Sequence, residues 1–255
     1  MESIKLPPRL EVIAGMVPDG AKLADVGTDH GLVPIRLLQE ERIRSAVASD
    51  IRAGPLSRAM ANAAEHSISG IRFVQCDGLS GICPEEADTI VIAGMGGETI
   101  ASILKAAPWS HRDRTLILQP MSHPELLRMA LADMSLRITR ECLVKDSGKI
   151  YSVIKAIAGA PVDLSEAEKY VGKIPMIIDQ DFFSDQLEQW EHKFRLAVDG
   201  LSRSSREEDA QKCEKLLRIC KEIHLLRERS DQYANGRGDS GISIRTDPAV
   251  DENGL

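Results

Sequence analysis

The sequence predicts an α/β protein: a parallel five-stranded sheet closed at one edge by an antiparallel hairpin, with a small helical hairpin after it. Three observations predict it. Over the first two-thirds of the chain, short apolar runs alternate with amphipathic stretches, as strands alternate with crossover helices. Two longer strand-like segments then flank a glycine, and beyond residue 180 the apolar spacing changes to threes and fours. With 255 residues, 43% hydrophobic and 28% charged, the chain can bury a real core, which excludes a disordered or collagen-like protein.

Strands are expected at 22–27, 45–50, 71–77, 89–94 and 115–120, each a buried run ending in a polar or glycine residue. Helical periodicity covers 32–40, 55–66, 98–106 and 124–134, with Pro55 and Pro124 suited to a first helical turn. Segments 136–144 and 150–157 flank Lys145-Asp-Ser-Gly-Lys149, where Gly148 supplies the positive φ of a tight hairpin. A parallel sheet closed by such a hairpin is the arrangement of class I S-adenosylmethionine (SAM) methyltransferases. The expected fold is therefore a Rossmann-like class I methyltransferase sheet in residues 1–160, a connector at 161–181, a helical coiled-coil hairpin at 182–233 and a disordered tail at 234–255. In the hairpin, Phe183, Leu187, Trp190, Phe194, Ala197 and Leu201 form one seam, and Ala210, Cys213, Leu217, Cys220 and His224 the other. Ser205 with Glu208 has capping-box spacing between them.

No window holds the roughly 18 uncharged apolar residues of a membrane span, and the N-terminus lacks the basic-then-apolar pattern of a signal peptide. A cytoplasmic location is expected. The five cysteines are scattered and none has CxxC spacing, so reduced thiols and no metal site are expected. Covalent catalysis finds no support either: no Gly-x-Ser-x-Gly elbow occurs, and Cys83 precedes Pro84 instead of following it.

The segment Leu23-Ala-Asp-Val-Gly-Thr-Asp-His-Gly turns from strand to helix through Gly27 and Gly31. Its Gly-x-x-x-Gly spacing fits a dinucleotide diphosphate poorly, and Asp25 and Asp29 would repel one. The same carboxylates complement the sulfonium and ammonium of SAM. Asp50, followed by Ile51, ends the second strand, twenty-three residues after Gly27, where a carboxylate can accept both ribose hydroxyls. Asp77 ends the third, placed to take an adenine amino group, and Gly78 admits the base. Parallel strand order brings these three ends to one edge. Ala93-Gly-Met-Gly-Gly ends the fourth strand without the Asn or Asp and Pro-Pro that amine methylation uses. Gly94, Gly96 and Gly97 either leave room for a flat ring whose nitrogen lone pair needs little activation, or simply open a helix. His30 either orients a base or the cofactor carboxylate, or is structural. Gln119 either reads a base edge or marks an ordinary strand end.

These residues resemble the TrmK family of bacterial tRNA (adenine-N1)-methyltransferases, which modify adenosine 22. The resemblance covers roughly 6–158. It rests on Leu6–Leu10 with Arg9, Ala24-Asp-Val-Gly-Thr-Asp-His-Gly-x-x-Pro, Asp77-Gly-Leu, Ile92-Ala-Gly-Met-Gly-Gly, Leu116-Ile-Leu-Gln-Pro and Gly148-Lys-x-Tyr151. It implies SAM as cofactor, tRNA as substrate, a SAM site lined by Gly27, Asp29, Asp50, Asp77, Gly78 and Gly94, and Met95 beside the methyl group. The chain departs from the family at Leu32, usually Tyr, and at Met121, often Asn. The expected chemistry is in-line attack of adenine N1 on the methyl group, with Asp29 stabilising the charge that develops on the base. A small-molecule methyltransferase and a non-catalytic SAM- or RNA-binding protein remain as alternatives.

The formal charge of −7 seems to argue against RNA, since phosphate binding draws on Lys and Arg. Residues 1–160, however, hold 18 basic against 19 acidic groups, net −1. Most of the excess lies in the connector and tail. Arg9, Arg36, Arg52 and Arg58 are the expected phosphate contacts.

Overall fold

The computed structural model describes residues 3–177, 181–204 and 206–236. Strands β1 (Ala21–Val26), β2 (Ile43–Asp50), β3 (Ile71–Gln75), β4 (Thr89–Gly96) and β5 (Thr115–Ser122) pair in parallel. β6 (Leu136–Asp146) and β7 (Lys149–Ala158) form the antiparallel hairpin, and β7 lies antiparallel to β5. The seven strands are ordered β3-β2-β1-β4-β5-β7-β6. At the hairpin tip both Ser147 and Gly148 have positive φ, as a two-residue type I′ turn requires.

The central strands are buried on both faces, and successive side chains go to opposite cores because strand period is two. Ala24, Ile90, Ile92, Leu116 and Leu118 pack with α4 (Gly97–Ala106) and α5 (Pro124–Asp133). Leu23, Val91 and Ile117 pack on the other face with α1 (Pro8–Met16) and α2 (Leu32–Gln39), and α3 (Ala53–Glu65) covers β2 and β3. Sequence periodicity does not reveal α1, which has only nine residues. Pro8 at its first position, where a missing N–H costs nothing, is the one local signal.

The segment expected as a plain connector contains two short helices, α6 (Glu168–Val171) and α7 (Ile174–Ile177). Arg128 of α5, fully buried, ties it to the sheet. Its guanidinium pairs with buried Glu141 of β6, donates to Ser152 Oγ of β7 at 3.1 Å, and donates to the carbonyls of Lys169 and Tyr170 at 2.8 and 3.0 Å. On this platform α8 (Phe183–Leu201) and α9 (Glu207–Gly236) pack through a third core with Leu143, Val171 and Ile177.

The helix pair has the expected period, but α9 uses a different phase. Leu217 is 46% exposed and His224 is also exposed, whereas Leu216, Ile219, Cys220, Ile223 and Leu226 form the seam. Two stripes compete on this helix, and the one carrying four large aliphatic side chains offers more apolar area than the one carrying Ala210, Cys213 and His224. On α8, Phe183, Leu187 and Phe194 are buried as expected, and Ala197 is exposed. Helix α9 continues to Gly236, past the expected end at 233. Ser205 of the expected capping box and the tail beyond 236 lie outside the described residues.

The seam makes a direct prediction. Ile223→Ala should cost about 2–4 kcal/mol of unfolding free energy, and Leu217→Ala less than about 1 kcal/mol, measured by urea denaturation of the full chain. Equal losses would contradict the assigned phase.

Candidate active site

Chain order runs outward from β1 to β2 and β3 on one side and from β4 to β5 on the other. The connections after β1 and β4 therefore diverge and open a crevice at the carboxyl edge of the sheet. Gly27 follows β1 with φ +78°, and its N–H and that of Thr28 donate to the Ser49 carbonyl of β2 at 2.8 and 2.9 Å. That φ strains any L side chain, and a Cβ at Gly27 would lie 2.3 Å from Met95 Cε, so the tip of Met95 would have to move away. Across the crevice, β4 bulges between Ala93 and Met95, and Gly94 takes φ +78°.

Two adjoining cavities occupy the crevice. One, of about 470 Å³, is lined by the predicted residues Arg9, Asp25, Gly27, Asp29, His30 and Asp50, with Gly94 and Met95. The other, of about 320 Å³, is lined by Asp50, Ile51, Asp77 and Gly78. Gly27, Asp50, Arg52 and Met95 border both, so the Met95 side chain is part of the partition between two halves of one site.

The carboxylates are not equivalent. Asp25 is buried, and burial pushes its pKa up to about 6. The neighbouring Thr28 hydroxyl offsets part of that rise, yet it is buried and makes no hydrogen bond of ordinary geometry. Asp29 sits at the rim, where a hydrogen bond from Arg58 holds its carboxyl below the usual range, and His30 Nε2 lies 3.5 Å from its other oxygen. Asp50 accepts the Arg52 backbone N–H at 2.8 Å. Asp77 is exposed beside Gly78, which has φ +56°.

Three predicted substrate contacts are placed otherwise. Gln119 is fully buried, so it cannot read a base edge: its Oε1 accepts from Arg9 Nη1 at 2.7 Å and from the Gly94 N–H at 3.1 Å, and its Nε2 donates to the Pro120 carbonyl at 2.9 Å. It holds the bulge and the arginine in place. Gly97 opens α4 against the β5–α5 turn, where a Cβ would fall 2.2 Å from the His123 carbonyl oxygen. Packing, and not space for a ring, explains this glycine. Gly96, whose Cβ would meet Ser122 Oγ at 3.3 Å, lines neither cavity. Arg9, in contrast, faces the larger cavity; its Nε lies 3.6 Å from Asp146 Oδ2 and its guanidinium 6.0 Å from the Tyr151 ring centre.

Of the four expected phosphate contacts, Arg36 is committed elsewhere. It pairs with Glu40 and Glu11 and donates to the Ile4 carbonyl, which fastens the N-terminal segment. Arg58 is engaged by Asp29, and Arg52, largely exposed, has its Nε 3.7 Å from Asp50 Oδ1. Sequence reasoning missed Thr28 as a pocket residue and Arg58 as the partner of Asp29. The i-to-i+3 relation of Thr28 to Asp25 across a strand end and the i-to-i+29 relation of Arg58 to Asp29 have no local signature. Among the described residues, no group of three or more His, Cys, Asp or Glu is placed to hold a metal ion, and no helix is long and apolar enough to cross a membrane.

A methyltransferase-domain family model matches residues 6–154. The tRNA (adenine(22)-N(1))-methyltransferase of Bacillus subtilis is 37% identical over 162 residues, covering 62% of this chain and 68% of that one. The crystal structure of the B. subtilis m1A22 tRNA methyltransferase TrmK superposes with a TM-score of 0.80 at 30% identity, over 88% of this chain and 100% of the other. A Streptococcus pneumoniae relative in complex with S-adenosyl-L-methionine gives a TM-score of 0.72 at 29% identity, over 83% and 98%.

The buried Asp25 carboxyl predicts a pH signature. Because its pKa rises from 3.8 to about 6 on folding, the folded state holds the proton more tightly, and ionising it lowers stability as pH rises through that window. Asp25→Asn removes this loss. Relative to wild type, the ligand-free variant should gain up to about 3 kcal/mol between pH 3.5 and 7.5, read from denaturation midpoints at each pH. A pH-independent difference would refute the assignment.

Proposed function

The chain belongs to the TrmK family of tRNA (adenine-N1)-methyltransferases, and from that premise we propose that it transfers the methyl group of SAM to N1 of adenosine 22 in tRNA. The observation that carries the proposal is the row of acidic strand ends, Asp25 with Gly27, then Asp50, then Asp77, around one two-part cavity.

The residues present suit SAM. A buried carboxylate at Asp25 complements a cationic ligand, and the buried Thr28 hydroxyl has hydrogen-bonding capacity left for one. In the smaller cavity Asp77 would accept from the adenine amino group, Gly78 would admit the ring and Ile51, 60% exposed, offers it an apolar face. Asp50 borders both cavities, as a carboxylate binding the ribose between base and methionyl parts must. When bound, SAM supplies a methyl group already activated by its sulfonium, so what the protein adds is chiefly orientation.

The chain's own groups supply that orientation. Gly94 keeps the space beside Met95 open, and Gln119 fixes Arg9 next to it. The Asp29 carboxylate at the rim offsets positive charge that develops on the adenine ring, with Arg58 and His30 holding it in position. Acting on tRNA, the enzyme works in the cytoplasm.

Transfer of label from radiolabelled SAM tests the function. Label should enter a tRNA carrying adenosine 22 and not the same tRNA changed at that base. Labelling of both would refute the site, and binding of SAM without labelling would refute the activity. Asp29→Asn should lower kcat at saturating SAM and tRNA by roughly ten-fold or more; full turnover under those conditions would remove Asp29 from the mechanism.

A further inference from the structure

A third cavity, of about 300 Å³, lies between the β5–α5 turn, β7 and α8, outside the two that make up the SAM site. Met121, 44% exposed, lines both this cavity and the larger one at Arg9 and Gly94, so the two are neighbours on one surface. Its opposite wall comes from α8, in Gln186, Trp190 and Lys193.

Two features of that wall point to a ligand. Gln186 is only 6% exposed, and its Oε1 is buried with no hydrogen-bond partner among the described residues. A buried amide acceptor left unpaired costs stability, and an N–H from a bound group removes that cost. Trp190 is held edge-on by Tyr170 and set against Phe194, with ring centres 5.2 and 5.3 Å apart, and Lys193 Nζ lies over its indole at 4.4 Å. The ring is rigid and the ammonium stands at the exposed side. The floor is apolar, from Pro120, Met121 and Ile150, and His123 stands at the turn with Nδ1 directed to Glu125.

A rigid aromatic, an apolar floor, one buried acceptor and one cation are the groups that seat an unstacked nucleotide: a flat base against the wall, its N–H to the amide, its phosphate to the ammonium. The volume suits one nucleotide and not a duplex. We infer that this cavity binds a single nucleotide of the tRNA adjoining the adenosine that is methylated, with Gln186 Oε1 reading an N–H on its base. The inference rests on the proposed tRNA reaction and adds that α8 supplies substrate contacts.

Three full-length proteins test it. Gln186→Met keeps the packing volume and removes the acceptor; it should raise KM for tRNA about five-fold, the worth of one hydrogen bond, with SAM affinity unchanged and the unfolding temperature of the free protein no lower than wild type. Lys193→Ala should raise the same KM and flatten its salt dependence. In Trp109→Phe, Trp190 is the sole tryptophan, and saturating tRNA should quench its emission. Wild-type KM in both of the first two variants, with Trp190 emission unmoved while gel shift shows tRNA bound, overturns the inference and leaves the methyltransferase reading standing. A wild-type protein that neither binds nor methylates tRNA overturns that reading, and this one with it.

Discussion

The buried ion pair of Arg128 and Glu141 decides where everything after the sheet goes. Two charges without solvent are tolerated only when each is paired and hydrogen-bonded, and the guanidinium finds its four partners on three elements at once: one on β6, one on β7, and two carbonyls of α6. The requirement is geometric. Because the donors point in fixed directions, α6 can dock on the sheet in one place only, and the core of α8 and α9 is built on α6 and α7. Gly172, with φ +97°, follows directly; a Cβ there would lie 2.7 Å from the Glu141 carboxylate oxygens. The pair therefore acts less as a source of net stability than as a register pin between two parts of the chain.

A second constraint works at the other side of the sheet. The order β3-β2-β1-β4-β5 leaves its crevice between the ends of β1 and β4, where glycines at positive φ, Gly27 and Gly94, form the turns on both sides and Met95 reaches between them. Gln119 connects this crevice to the rest: one buried amide holds the Gly94 N–H freed by the bulge and the Arg9 guanidinium of α1. Since β5 carries Gln119 and then Met121, the same strand end borders the SAM site and the α8 cavity. The fold thus places a helix-pair surface beside the transfer site through one strand.

The elements from β1 to β7 were legible because each carries its own local signal: an apolar run of the right length, a proline in a first turn, a glycine at the hairpin. The Asp25, Asp50 and Asp77 row was legible for the same reason, as parallel strands put their carboxyl ends together without further information. What was not legible depends on contacts between distant residues. Arg9 and Gln119 are 110 positions apart, and nothing local shows that the amide is taken up by two backbone groups, an arginine and the Met121 sulfur. Gly97 reads the same whether it makes space or fills it, and only the His123 carbonyl distinguishes the two. The phase of α9 failed differently: two apolar stripes with the same period lie side by side, and the choice between them belongs to the facing surface of α6 and α8.

Charge follows the same division. An acidic protein that handles RNA must keep its carboxylates from facing phosphates, and here the fold does so pair by pair. Asp25 is buried, Asp50 is capped by the Arg52 backbone, Asp29 is held by Arg58, and Asp146 lies near Arg9. The arginines spent this way are unavailable as free phosphate contacts, and Arg36 is spent on Glu11 and Glu40. Among the described residues, the exposed cations nearest the crevice are Arg52, beside Asp50, and, across Met121, Lys193, which lies over the Trp190 ring. Electrostatic attraction then supplies little of the recognition, because affinity gained through counterion release scales with the number of phosphates neutralised. The remainder has to come from shape and from contacts with individual unstacked bases, which requires concave, partly apolar seats on the protein surface rather than a basic stripe.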